Sequence, residues 1–159
     1  IALAGELIRF WGVSWAGSET RTTGSVGGSN LIISGPFAYV RNPLYVGNIL
    51  MYFGLGVMSF ALFPYLHIAA IVFFILQYHL IIGEEESFLL KKFGEQYKRF
   101  AANVSRFFPR ITPFKDETIP QPVVSFSKGF KSEIRTLQAF VIVVILIVVK
   151  WYLRVNNIL

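Results

Sequence analysis

Long uncharged runs alternate with charged segments along this chain, and the pattern predicts membrane-spanning helices. Residues 44–63 form a run of twenty residues without a charge, which at about 1.5 Å per helical residue matches the roughly 30 Å hydrocarbon core of a bilayer. A second uncharged run, residues 65–83, follows immediately after Pro64. Because so short a junction reverses the chain direction, the two runs predict an antiparallel helical hairpin.

Two further apolar segments lie outside the hairpin. Residues 2–16 are apolar apart from Glu6, Arg9 and one serine, and the three-residue step from Glu6 to Arg9 predicts a pair on one helical face inside a bundle. Residues 137–149 are apolar and reach spanning length only if the helix continues as far as Arg154. The pattern therefore predicts an all-α, polytopic membrane protein with about four transmembrane helices.

Polar segments connect these runs. Residues 17–30 are rich in Gly, Ser and Thr, which predicts a loop that either closes over a ligand or only connects two helices, and composition favours the connector. Apolar residues at three- and four-residue steps over 84–104, with lysines between them, predict an amphipathic helix at the cytoplasmic membrane surface. Three prolines over 112–128 predict an extended linker.

These elements divide the chain into two parts. Residues 1–111 are predicted to form a membrane core, which contains in order the first helix, a loop proposed for binding (17–43), the helical hairpin (44–83) and the amphipathic helix (84–104). Residues 112–159 are predicted to form a proline-containing linker and a C-terminal transmembrane helix. Since the sequence opens with Ile1 and has no basic region ahead of its first apolar segment, we expect its N-terminal part to be incomplete.

Composition agrees with a membrane protein. Of the 159 residues, 54% are hydrophobic and only 15% are charged, with a mean hydropathy of +0.56, which excludes a disordered chain and disfavours a small soluble enzyme. The lack of cysteine excludes disulfides, thiolate metal sites and cysteine nucleophiles. A net charge of +6 is compatible with nucleic-acid binding, but the apolar runs make the membrane surface the expected partner instead.

The distribution of basic residues predicts the orientation of the chain. Ten of the fifteen Lys and Arg residues lie between residues 84 and 135, whereas the junction at residues 63–64 carries none. Arg21 and Arg41 precede the first strong run, on the same side of the membrane as this basic segment. Because basic loops remain in the cytoplasm, we expect an integral, multi-pass protein whose polar loops, and any cofactor site within them, face the cytoplasm.

The first candidate site lies at the start of the hairpin, where residues 34–47 read SGPFAYVRNPLYVG. Pro43 in the first helical turn leaves helix N-terminal amides free, and together with Arg41 they would stabilise a carboxylate or a phosphate. The alternative is that Arg41 only anchors the chain to lipid headgroups, with Tyr39 and Tyr45 as interfacial aromatic residues. The residues alone leave both interpretations open.

The second candidate site is the acidic triplet at residues 84–86, at the end of the second strong run. Three adjacent carboxylates repel one another unless they are hydrated or bound to something cationic. Glu86 shares a helical face with Gly83 and His79, which suits a pocket wall. A solvated acidic helix end beside the following lysines is an equal alternative. His67 is expected to be a packed or interfacial histidine, and no spacing of ligands predicts a metal site.

These motifs, in their order along the chain, resemble a family. The succession GPFAYVRNPLYVG, helical hairpin, EEESFLLKKFGEQYKRF and VSRFFPRI over residues 31–111 is similar to the integral-membrane methyltransferases that include isoprenylcysteine carboxyl methyltransferases and phospholipid N-methyltransferases. The resemblance implies an all-helical membrane enzyme that binds S-adenosylmethionine at its cytoplasmic side. It also implies a lipid or lipidated substrate that enters from the bilayer, with either a prenylcysteine-type carboxylate or a phospholipid amine as methyl acceptor.

The family's motifs can be placed residue by residue. Carboxyl methyltransferases usually have His at the position of Asn42, whereas phospholipid methyltransferases resemble this chain in having Asn there. The family's Glu-Glu pair corresponds to the last two glutamates of the triplet, which leaves Glu84 as an extra. The resemblance implies that Glu85 or Glu86 binds the amino group or ribose of the donor and that Arg41 meets a carboxylate. The cofactor-binding residues implied are Gly35, Phe37, Tyr39, Arg41, Asn42, Pro43, Tyr45, Glu85 and Glu86.

Within that set, Arg41 and Glu85 are the candidate catalytic residues. Asn48 and His79 are expected on the substrate side, with His79 as the nearest proton acceptor for an amine substrate. Two other classes stay open: an NADPH-dependent membrane reductase of the sterol type, and a membrane protein that binds a partner without catalysis. The sequence offers few groups for dinucleotide phosphates, and polar residues at membrane spans are costly without a use.

Overall fold

The computed structural model of the protein describes residues 1–17 and 30–157, and every regular element within those residues is a helix. The predicted all-α class is therefore confirmed. The elements in chain order are α1 (Ala2–Ala16), a short 3₁₀ helix (Gly35–Ala38), α2 (Pro43–Ser59), α3 (Tyr65–Phe93), α4 (Glu95–Asn103) and α5 (Phe126–Val155). Most of the Gly- and Ser-rich loop, residues 18–29 with Arg21, lies outside the described residues.

Two helices of the described chain are long and apolar enough to cross a membrane, α3 and α5. The hydrophobic side chains along both helices are largely exposed, as expected for surfaces in contact with lipid. The other two apolar helices are shorter: α2 has 17 residues and α1 has 15, which correspond to about 26 Å and 23 Å of helix. Four complete spans therefore remain a prediction, while two candidate spans are present.

The predicted amphipathic helix over 84–104 is divided in two. The second strong run continues without interruption to Phe93, so that the acidic triplet belongs to the final turns of α3, and α4 begins only at Glu95. Gly94 separates them with a φ of 51°, a left-handed backbone angle that glycine adopts without steric cost and that ends a helix. The amphipathic pattern is real in α4, whose apolar face is buried at Tyr97 and Phe100.

The last helix starts earlier than its apolar run predicts. Ser125 accepts a hydrogen bond from the backbone nitrogen of Lys128 and caps α5, which therefore begins at Phe126, inside the segment predicted as linker. A serine at this position satisfies one of the free amides of the first turn. The extended linker accordingly ends at residue 125, and the charged residues that follow belong to a helix.

Glycines bring α1 and α2 together. A Cβ added to Gly5 would lie 2.5 Å from the carbonyl oxygen of Gly47, and a Cβ added to Gly47 would lie 2.6 Å from Cγ of Arg9. Small residues of this kind let helices approach closely in a membrane, where lipid offers no hydrophobic driving force for association. The contact places Arg9 of α1 directly beside Asn48 of α2.

A hydrophobic cluster joins α4 to the segments before the 3₁₀ helix and after α4. Its buried members are Leu31, Ile33, Tyr97, Phe100, Val104 and Ile119. The extended chain after α4 pairs with the segment around the 3₁₀ helix, because Ser105 accepts from the backbone nitrogen of Arg41 at 2.9 Å and Phe114 donates to the carbonyl of Ala38 at 2.9 Å. Residues 31–42 are thereby held between α2, α4 and the linker.

Replacing Gly47 with Leu tests the contact between α1 and α2. We expect Gly47→Leu to lower the thermal unfolding temperature in detergent, since overpacking typically costs about 1–3 kcal/mol. Gly83→Leu is the matched control, because nothing lies within 4 Å of a Cβ at Gly83 in α3, and leucine is a better helix former than glycine. Equal melting temperatures for the two variants would contradict the proposed packing.

Candidate functional site

A cavity of about 340 Å³ lies where α1, α2, α3 and α5 meet the segment 30–45. Its volume falls within the range of pockets that hold small molecules and cofactors. Apolar residues such as Leu31, Leu44 and Leu89 form part of the wall. The charged and polar residues of the lining include Arg9, Arg41, Tyr45, Asn48, Glu85 and Glu133.

The hairpin positions one side of this cavity. Tyr45 lies in the first turn of α2, and its hydroxyl donates a hydrogen bond to Oε1 of Glu85 near the end of α3, at 2.6 Å. The ring of Tyr45 also packs on Tyr78, with centroids 4.6 Å apart. Asn48 lies three residues after Tyr45, on the same helical face. The antiparallel arrangement predicted from the sequence therefore joins the two candidate sites.

A buried ion pair forms the inner end of the cavity. Nη2 of Arg9 donates to both carboxylate oxygens of Glu133, each at 3.0 Å, and Nη1 donates to Oδ1 of Asn48. Glu6 lies 4.0 Å from Nε of Arg9, so the predicted pair is present. The stronger partner of Arg9 is however Glu133, which reaches it from α5.

Glu86 faces a different, more open cavity of about 500 Å³ between α3 and α4. Its carboxylate accepts hydrogen bonds from Arg106 at 2.9 and 2.5 Å and lies 3.2 Å from Nη1 of Arg41. The hydrogen bond to Glu86 raises the pKa of Arg106. Because successive helical residues are rotated by about 100°, Glu85 and Glu86 occupy separate cavities. The structure does not bring them together in one ligand shell.

Arg41 lies between the two cavities and lines both. One of its guanidinium nitrogens pairs with Glu86, whereas Nε is buried and has no hydrogen-bond partner within the described chain. Burial, and then the Glu86 carboxylate, raise the pKa of neighbouring Tyr97. The guanidinium of Arg41 therefore places a positive charge at the wall of the first cavity.

The other sequence-predicted residues are divided between the cavity and its surroundings. Phe37, Asn42 and Pro43 line the first cavity, and the amide of Asn42 also donates to the carbonyl of Arg106 at 3.3 Å. Gly35 does not line it: with a φ of 61° it lies against the indole of Trp15, which leaves no room for a Cβ.

Three further residues lie away from the first cavity. The ring of Tyr39 packs on Trp11 at 6.2 Å between centroids, and Tyr39 is not part of the lining. His79 is exposed on α3 and does not line the first cavity, whereas Asn48 lines it. A substrate site shared by the two residues stays a prediction. Glu84 is exposed.

Sequence reasoning missed Glu133 and the part that Arg9 plays in the cavity. Glu133 belongs to a charged stretch ahead of the apolar run and gave no sign of burial, yet it is 3% exposed. Gly129, one helical turn before it, was the available signal, because a small residue four positions away marks the face by which α5 approaches another helix. A Cβ on Gly129 would lie 3.0 Å from Cα of Ser14 in α1.

The sequence is similar to one protein family and to two curated proteins. The sequence profile of the family described as phospholipid methyltransferase matches residues 1–96. The cobalt-zinc-cadmium resistance protein CzcN of Cupriavidus metallidurans is 35% identical over 118 residues, which cover 72% of this chain and 52% of that protein. The nickel-cobalt-cadmium resistance protein NccN of Alcaligenes xylosoxydans xylosoxydans is 35% identical over 92 residues, which cover 57% of this chain and 41% of that protein.

The chain thus spans about half the length, or less, of these curated relatives. No solved structure matches it. The matched region contains α1, α2, α3 and most residues of the first cavity, including Arg41, Tyr45 and Glu85, whereas α5 lies beyond it. Since the match extends over more than half of the sequence, the chain belongs to the phospholipid methyltransferase family.

Proposed function

We propose that the protein is an integral membrane methyltransferase that uses S-adenosylmethionine and acts on a lipid or lipidated substrate. The observation that carries the proposal is the first cavity, where Arg41 and Glu85 line one space at the loop-side end of apolar helices. Membership of the phospholipid methyltransferase family supports the reaction type. The two apolar helices that are long enough to span a bilayer support the membrane location.

The residues present fit the donor. Its amino acid end carries a carboxylate and an ammonium group, whose charges are complementary to the guanidinium of Arg41 and the carboxylate of Glu85 in the cavity wall. The rings of Phe37 and Tyr45 line the same space and suit the neighbourhood of a cation, since aromatic faces attract positive charge. The donor supplies an activated methyl group, so the protein mainly needs to hold two reactants close and in line.

The geometry favours Glu85 over Glu86 as the residue that contacts the donor. Glu86 already accepts from Arg106 and pairs with Arg41 in the other cavity. Glu85 faces the first cavity and is oriented by the hydroxyl of Tyr45. We assign Glu85 to the ammonium or ribose hydroxyls, and Glu86 to positioning the guanidinium of Arg41.

The acceptor is either a prenylcysteine-type carboxylate or a phospholipid amine. Methylation of an amine requires a group that takes up a proton. His79 was the sequence-based candidate, but it is exposed away from the cavity, whereas Glu85 is a carboxylate within it. We therefore propose that, if the acceptor is an amine, Glu85 takes up the proton and contacts the ribose hydroxyls of the donor instead of its ammonium group. The names of the relatives refer to resistance to cobalt, zinc, cadmium and nickel, and we propose the same cellular context for this chain.

Titration with S-adenosylhomocysteine tests the proposed function directly. We expect saturable calorimetric binding to the detergent-purified chain and no binding of NADPH under the same conditions. Glu85→Gln removes the charge that faces the cavity and should weaken binding at least tenfold. The control is Glu84→Gln, which changes an exposed neighbouring carboxylate and should bind as the unmodified chain does. Binding of NADPH alone would favour a reductase, and binding of neither would favour a protein without this catalysis.

Arg41→Lys tests the role of the guanidinium. Lysine keeps the positive charge but lacks the planar donors that contact Glu86 and the cavity together. We expect a loss of at least tenfold in affinity for S-adenosylhomocysteine, measured by the same titration. Arg99→Lys is the matched control, because Arg99 is half exposed and pairs with Asp116 away from both cavities. Equal affinities of the two variants would remove Arg41 from the proposed site.

The absence of cysteine makes the orientation directly measurable. We propose that the basic segments face the cytoplasm, because positive charge accumulates there. Tyr65→Cys, at the exposed start of α3, should react with a membrane-impermeant maleimide in intact expressing cells. Lys115→Cys, in the exposed linker, should react only after the cells are opened. The reverse labelling pattern would overturn the orientation.

A further inference from the structure

The ion pair between Arg9 and Glu133 connects α5 to the ligand cavity. Both side chains line the cavity, and both are largely buried, with exposed fractions of 13% and 4%. The guanidinium binds both oxygens of Glu133 and, through its other terminal nitrogen, the amide oxygen of Asn48. A single arginine therefore joins α1, α2 and α5 at one wall.

The three residues lie at similar depth. Each is five to seven residues from the end of its helix on the loop side, namely the C-terminus of α1 and the N-termini of α2 and α5, which corresponds to roughly 8–10 Å along the helix axes. The backbone of Ser125 donates to the carbonyl of Ser14 at 2.9 Å, which aligns the ends of α1 and α5. The ion pair is therefore on the membrane side of Arg41, at the inner end of the cavity.

Helix association alone does not account for these charges. A buried ion pair is weak evidence for stability, because well-packed apolar residues of the same volume are often as stable. Gly129 already permits close contact between α5 and α1 without any charge. Ionisable residues within membrane helices are costly and commonly serve binding or transport. Because this pair lies in the cavity wall, ligand binding is a use that would account for its charges.

We infer that Glu133 is a positioning residue of the ligand cavity, which acts through Arg9. Its carboxylate binds the guanidinium at 3.0 Å, closer than Glu6 at 4.0 Å, and holds it against Asn48, so that the inner wall has a fixed shape and charge when a ligand binds. The inference rests on the proposed function for the identity of that ligand. It makes the C-terminal helix, which lies beyond the family match at residues 1–96, a part of the binding site.

Charge-altering variants of the full chain test this role, with S-adenosylhomocysteine as the probe. We expect Glu133→Gln to raise the dissociation constant at least tenfold, because Arg9 loses the carboxylate that binds it at 3.0 Å and keeps only Glu6 at 4.0 Å. Arg135→Gln is the control, since Arg135 is exposed on the same helix and should leave binding unchanged. Glu133→Asp keeps the charge and shortens the side chain, so an intermediate rise is expected even if the glutamine variant does not fold.

The exchanged pair Arg9→Glu with Glu133→Arg separates positioning from simple attachment of the helix. It restores opposite charges between α1 and α5, so the melting temperature should recover from its value in Glu133→Gln. The charge beside Asn48 is reversed, so binding of S-adenosylhomocysteine should stay weak. Affinity equal to that of the unmodified chain, either in the exchanged variant or in both Glu133→Gln and Glu133→Asp, would overturn the role of Glu133 but not the proposed function. Failure of the unmodified chain to bind the probe would instead overturn the proposed function, and the inference with it.

Discussion

Charged side chains that are buried among the apolar helices of this protein need partners on neighbouring helices, because no water hydrates them there. Arg9 lies in the middle of an apolar helix, and a guanidinium there is tolerated only if neighbouring helices provide acceptors. The glycine contact between α1 and α2 brings Asn48 to it, and the approach of α5 at Gly129 brings Glu133. The cavity exists at the point where these helices converge on that charge.

A second set of paired charges organises the loop side. Arg106 follows α4 and reaches back to Glu86 at the end of α3, while the extended chain after it pairs with residues around the 3₁₀ helix. Because Arg41 contacts the same carboxylate, the position of its guanidinium depends on both α3 and the segment after α4. The polar residues near the start of α2 are thus held by the linker on the loop side and by the pair of Arg9 and Glu133 on the membrane side.

Local sequence patterns predicted much of this arrangement. They did not predict the contacts between segments that are distant in the sequence. The uncharged runs predicted the hairpin, and a three-residue step predicted the Glu6–Arg9 pair. The pairing of Arg9 with Glu133 joins residues 124 positions apart, and no periodicity within one helix reveals such a contact. Helical rotation between adjacent residues separates Glu85 from Glu86, as their consecutive positions on one helix indicate.

The position of Arg41 in the wall between two cavities has a thermodynamic consequence. A ligand that draws its guanidinium into the first cavity competes with Glu86, which then retains Arg106 as its partner in the second. Occupancy of the first cavity by such a ligand would therefore change the free energy of occupying the second. By linkage, the effect is reciprocal: the factor by which a molecule in the open cavity alters affinity in the enclosed one must equal the factor in the opposite direction.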